Sequence, residues 1–145
     1  MLGTILLPLV LLSNPGFQSG QSLPSAPRIA EVSLRRAARK IVMPEYPKES
    51  IKHNSKGVAV AQLLYDETGV VIDVEILEAP DDSIKESVIK AVRQWKFEPA
   101  RAKSRQGPLV KIQGKLTFYF EIDERGKATV ENPKQFKSPQ RSTRT

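Results

Sequence analysis

The sequence predicts an α+β fold: a three-stranded antiparallel sheet of order 2-1-3, one main helix packed on one face, and a short N-terminal helix. Three observations carry this expectation. Residues 58–65 and 72–76 are strand-like runs joined by the turn residues Asp66-Glu67-Thr68-Gly69. Ile84, Val88, Ala91, Val92 and Trp95 recur at helical spacing. Residues 109–122 alternate apolar and polar side chains over the longest such stretch in the chain.

Taken in order, the folded part begins at Pro44-Glu45-Tyr46-Pro47. Pro47 suits the first turn of a helix over 48–53, because that turn does not need its missing N–H. Asn54 or Gly57 can end it. Residues 58–65 are rich in β-branched and aliphatic side chains. Gly69 supplies the positive φ that a tight hairpin demands. Beyond it Ile72, Val74 and Ile76 alternate with Asp73 and Glu75, the period of a half-buried strand. Asp81-Asp82-Ser83 opens the main helix, with Ser83 and Glu86 at capping-box spacing. Pro99 prevents the helix from continuing much past Phe97. After a basic loop comes the long strand, in which Val110, Ile112, Leu116, Phe118, Phe120 and Ile122 share one face. Gly114 interrupts that face, the mark of a bulge or of room for a helix. A helix returning the chain after a hairpin makes the last strand parallel to the second. Placed beside the first strand it completes the 2-1-3 order with a right-handed crossover.

The flanks read differently. Residues 1–22 form a signal-peptide-like apolar segment: the run over 2–12 is too short for the roughly 20 residues of a membrane span, and it suits a secretory h-region. Cleavage is expected near residues 21–23, although no Lys or Arg precedes the run. If the segment is retained, it is a membrane anchor instead. Residues 23–43 are a basic linker with a short amphipathic helix as one reading, since Ala30, Leu34, Ala37 and Ile41 recur at helical spacing. Residues 44–124 are the folded domain. Residues 125–145 are a basic tail, expected to be disordered.

The net charge of +7 sits in those flanks. Residues 1–43 carry five Lys/Arg against one acid, residues 125–145 six against one, and residues 44–124 twelve against fourteen. A folded nucleic-acid reader concentrates positive charge on its own surface, so no nucleic-acid partner is expected. No cysteine is present, and His53 is the sole histidine, which excludes the usual zinc ligand sets. There is neither a Gly-x-Ser-x-Gly elbow nor a phosphate-cradling glycine loop, and Asp81-Asp82 are explained by acids favouring a helix N-terminus. No catalytic residue, metal or cofactor is expected: the chain reads as a binding module and not as an enzyme.

Five blocks of residues then resemble one family in order and spacing. They are Pro44-Glu45-Tyr46-Pro47, Gly57-Val58, Asp66-Glu67-Thr68-Gly69-Val70, the run Ala91-Val92-Arg93-Gln94-Trp95-Lys96-Phe97-Glu98-Pro99-Ala100, and Gly107-Pro108-Leu109-Val110 followed by Phe118-Tyr119-Phe120. Together, over about residues 42–123, they resemble the TonB C-terminal domain, within a TonB/TolA C-terminal-like fold. Gly69, Trp95, Phe97 and Pro99 have structural readings as turn, core anchors and helix stop. The resemblance implies a periplasmic or cell-envelope domain that takes an extended peptide of an outer-membrane TonB-dependent transporter, or another envelope protein, onto a sheet edge as an added strand. On this chain that edge would be Lys115, Thr117, Tyr119 and Glu121 of the last strand, with Met43, Pro44, Tyr46 and Pro47 near the partner. Val42-Met43 departs from the polar residues of well-known transducers. With neither a full-length membrane helix nor a long Pro/Lys-rich spacer recognisable, inner-membrane motor proteins are not an expected partner. The alternative is a structural envelope domain that self-associates, as in a homodimer, without energy coupling.

Overall fold

The structure is a computed structural model and describes Gly3 and residues 26–132. In chain order its elements are α1 (Glu31–Ala37), β1 (Ala38–Lys40), α2 (Lys48–Lys52), β2 (Gly57–Tyr65), β3 (Val71–Glu78), α3 (Asp82–Val92), β4 (Lys96–Phe97), β5 (Ala100–Arg101), β6 (Leu109–Val110), β7 (Ile112–Ile122) and β8 (Ala128–Glu131). The signal-like segment 1–22 apart from Gly3, residues 23–25, and the tail beyond residue 132 lie outside the described residues. Among the described residues no helix is long and apolar enough to cross a membrane.

β2 is the central strand. It pairs antiparallel with β3 on one side and with β7 on the other, which is the expected 2-1-3 order. Ala59, Ala61, Leu63 and Tyr65 of β2 and Ile112, Leu116, Phe118 and Phe120 of β7 all point to one face. There they meet Ile84, Val88 and Val92 of α3 together with Trp95 and Phe97. The period of two in the strands and of 3.6 in the helix thus converge on one core. Fully burying a side chain of this size stabilises by roughly 1.5–3 kcal/mol.

Several local features refine or differ from expectation, each for a physical reason. The sheet has a fourth strand: β8, from the segment expected to be disordered, pairs with Tyr119 to Ile122 of β7, and Val130 packs against the core. The turn that feeds it repeats the chemistry of the β2–β3 turn. Asp123 Oδ1 accepts from the Arg125 and Lys127 amides as Asp66 Oδ1 does from Thr68 and Val70, with Gly126 at φ 79° and Gly69 at φ 85°.

Within the segment 23–43, expected as a basic linker with a short amphipathic helix as one reading, residues 31–40 form α1 and β1. α1 buries Leu34 completely, and β1 pairs with β4. Gly114 sits in unbroken β2–β7 register, so it marks no bulge. A Cβ there would lie 2.8 Å from Leu34 Cδ2, and the missing side chain makes room for α1.

The α3 cap is Asp81, whose Oδ1 accepts from the Ile84 amide at 2.7 Å, while Ser83 lies inside the helix. Burial pushes the Asp81 carboxyl up, but the Ile84 amide and the other polar groups around the cap outweigh it and hold the pKa below the usual carboxylate value. α3 also ends at Val92, short of Trp95, because the chain must turn there to bring β4 beside β1. The long strand is likewise broken at Lys111, with β6 forming a small ladder with β5.

Candidate functional site

In an antiparallel ladder a residue's N–H and C=O point to the same side and alternate along the strand. The β2–β7 register runs without a shift from Gly57↔Phe120 to Tyr65↔Ile112. Two residues fix the phase. Gln113 directs both groups away from β2: its N–H donates to Pro27 O at 2.9 Å and its C=O accepts from Ile29 N at 3.0 Å. Thr117 does the same, donating its N–H to Glu31 Oε1 at 2.7 Å and accepting from Asn132 Nδ2 at 2.8 Å. By this alternation Lys115, Thr117, Tyr119 and Glu121 all present backbone groups to the outer edge. Tyr119 and Glu121 are matched there by Glu131 and Thr129 of β8. Among the described residues the outward groups of Lys115 have no partner. The edge is therefore not bare, as the sequence reading expected; three of its four rungs are covered by the chain's own flanks.

The opposite edge of the sheet is β3. Register shifts at Ile72 and Leu77 leave both residues exposed, and Asp73, Glu75 and Glu78 are set along the strand with no basic residue among them. Bulges and charges are how natural edges discourage pairing.

The second group of expected site residues is held by the core. Trp95, 1% exposed, donates its indole N–H to Val42 O at 2.8 Å and meets Phe118 edge-on. Ser87 Oγ donates to Glu45 O, Tyr46 Oη donates to Ser55 O, and the Tyr46 ring stands edge-on to Phe120. Burial, with Asp81 adding to it, raises the Tyr46 phenol pKa, which keeps that donor protonated. Pro44 is buried, Pro47 half-buried at the α2 N-cap, and Met43 is 42% exposed. Met43 lies on the lip of a groove of about 550 Å³ between this segment and Ser83, Glu86, Ser87 and Lys90 of α3. Phe97 stacks on Tyr65 at 4.6 Å, and its N–H donates to Gly69 O. A Cβ on Gly69 would fall 1.9 Å from Phe97 O, so this glycine serves a close backbone crossing as well as a turn. Pro99 is half-buried between β4 and β5. His53 is exposed at the end of α2. Among the described residues no group of three His, Cys, Asp or Glu is placed to hold a metal.

A model of the family described as Gram-negative bacterial TonB protein C-terminal matches residues 42–122, more than half of the chain. The chain belongs to this family. TonB C-terminal domains interact with envelope proteins in energy-coupled transport. Among solved structures the chain is similar to the solution NMR structure of the Pseudomonas aeruginosa TonB CTD, at 23% identity and a TM-score of 0.49, over 61% of this chain and 87% of that one. No curated protein matches the chain. The TonB-like match starts at residue 42, so α1 and the clasp it makes on β7 lie outside it.

Three residues at the edge escaped the sequence reading: Glu31, Gln113 and Asn132. Glu31 lies 86 positions from Thr117 and looks like any acid in a first helical turn. Asn132 was legible in principle, since Asp123-Glu124-Arg125-Gly126 repeats the pattern of Asp66-Glu67-Thr68-Gly69 and announces a second hairpin.

Proposed function

We propose that this domain is a periplasmic adaptor that binds an extended segment of an outer-membrane transporter, or of another envelope protein, by strand addition along β7. The observation that carries this reading is the common outward phase of Lys115, Thr117, Tyr119 and Glu121. A ladder of unpaired or replaceable backbone groups gives affinity, and alternate side chains give selectivity. Family membership supports the partner class. The blunted β3 edge favours β7 over β3 as the receiving side.

The test is a proline at Thr117. Proline removes the outward N–H and leaves the bonds to β2 untouched, because those belong to the alternate residues. Thr117→Pro should stay folded by circular dichroism. It should weaken binding of synthetic peptides copied from periplasm-facing transporter segments by at least about tenfold, or about 1.4 kcal/mol. Tyr119→Pro serves as the second variant. Normal peptide affinity in both folded variants excludes strand addition at β7. A mass that doubles with concentration, with no peptide binding, favours the self-associating alternative.

A further inference from the structure

The groups that cover the β7 edge are unlike the rest of the sheet. At Thr117 the cover is made of side chains, not backbone. Glu31 Oε1 accepts from the Thr117 N–H, Oε2 accepts from Thr117 Oγ1 at 3.0 Å, and Asn132 Nδ2 donates to the Thr117 C=O. One carboxylate and one amide, from opposite flanks of the domain, thus imitate the acceptor and donor that a paired strand would supply. Arg35, one turn along α1, holds the same carboxylate in an ion pair. Leu34 fixes α1 to the core at Gly114, so the Glu31 side chain can leave the edge by rotation while the helix stays.

Next to this clasp one rung is open: Lys115 lies between Thr117, held by Glu31, and Gln113, held by Pro27 and Ile29. The Lys115 rung faces a cavity of about 290 Å³ whose walls include Arg28, Ile29, Glu31 and Gln113. Gln113 is 3% exposed. Arg28 Nε donates to its Oε1 at 2.8 Å, while its Nε2 has no hydrogen-bond partner. A buried amide donor without an acceptor is costly and uncommon. The Gln113 side chain is one of the walls of the cavity beside Lys115. On the far side β8 is four residues long and has Val130 as its core contact.

We propose that Glu31, held by Arg35, is an internal latch on the strand-binding edge. An extended peptide docks first on the open Lys115 rung, and it extends along the edge to the Thr117 N–H only by displacing the Glu31 carboxylate. The latch therefore lowers apparent affinity in proportion to the fraction of molecules in which it is closed. This inference rests on the reading of β7 as the receiving edge.

The test uses the full chain with Glu31→Gln, which keeps the side-chain volume, and Glu31→Ala, which removes the clasp. Two quantities are read: hydrogen exchange of the Thr117 amide in the free protein, and the dissociation constants of the same synthetic transporter peptides. Faster Thr117 exchange with peptide binding about tenfold tighter in Glu31→Ala, and an intermediate gain in Glu31→Gln, is the expected result. Faster exchange with unchanged or weaker binding overturns the latch and leaves strand addition standing. Unchanged exchange also overturns it, because the carboxylate then does not cover that rung in solution. If neither wild type nor variants bind any peptide while Thr117 exchange responds, strand addition itself has failed, and the latch as a regulator falls with it.

Discussion

Trp95 joins two jobs in one side chain. Its ring fills the junction between α3 and the sheet, and its indole N–H fastens the Val42 carbonyl, from which the Met43–Pro47 segment runs along α3. Trp95→Ala removes both and should destabilise by roughly 3–5 kcal/mol. Trp95→Phe keeps much of the burial but leaves the Val42 carbonyl unpaired, which costs about 1–3 kcal/mol. Urea midpoints should therefore fall in the order wild type, Phe, Ala, and an equal midpoint for all three would contradict burial. Burial of Trp95 and Phe97 was legible because they close an apolar stripe. The hydrogen bond was not, since nothing in local spacing links Trp95 to a carbonyl 53 residues earlier.

At the scale of elements, α1 shows where periodicity stops being informative. Ala30, Leu34 and Ala37 announce an amphipathic helix, but periodicity does not say what covers the apolar face. The structure answers with a missing side chain: Gly114 leaves the hole that Leu34 fills. Gly114→Ala should therefore be costly in the wild type, by about 1–3 kcal/mol of overpacking. In a Leu34→Ala background it should be nearly neutral. A double-mutant cycle by chemical denaturation measures this coupling, and simple additivity would show that α1 does not rest there. The sheet itself was readable from alternation, and its order from the handedness of the crossover. β8 was missed because a four-residue strand with one strongly apolar side chain, Val130, carries little periodic signal. Its Asp-x-x-Gly turn was the available clue.

Over the whole molecule, the two edges of the sheet have been treated differently. β3 is blunted by bulges and acids, whereas β7 is covered by groups drawn from both flanks of the family-matched region. Most of that asymmetry does not show in local sequence, because it depends on Glu31 and Asn132 reaching Thr117 and on residues 27–29 reaching Gln113. It makes β7 the side on which a partner strand is expected, with Lys115 as its open rung.

Amide hydrogen exchange of the full chain, with and without a saturating transporter peptide, tests this most directly. The Lys115 amide should be the outward β7 donor that exchanges fastest in the free protein, and peptide should slow it by at least about tenfold. Thr117, Tyr119 and Glu121 should remain protected as their partners are exchanged. If peptide binds while Lys115 exchange is unchanged, and protection appears instead along β3 or in the groove beside Met43, the account of β7 as the receiving edge is wrong.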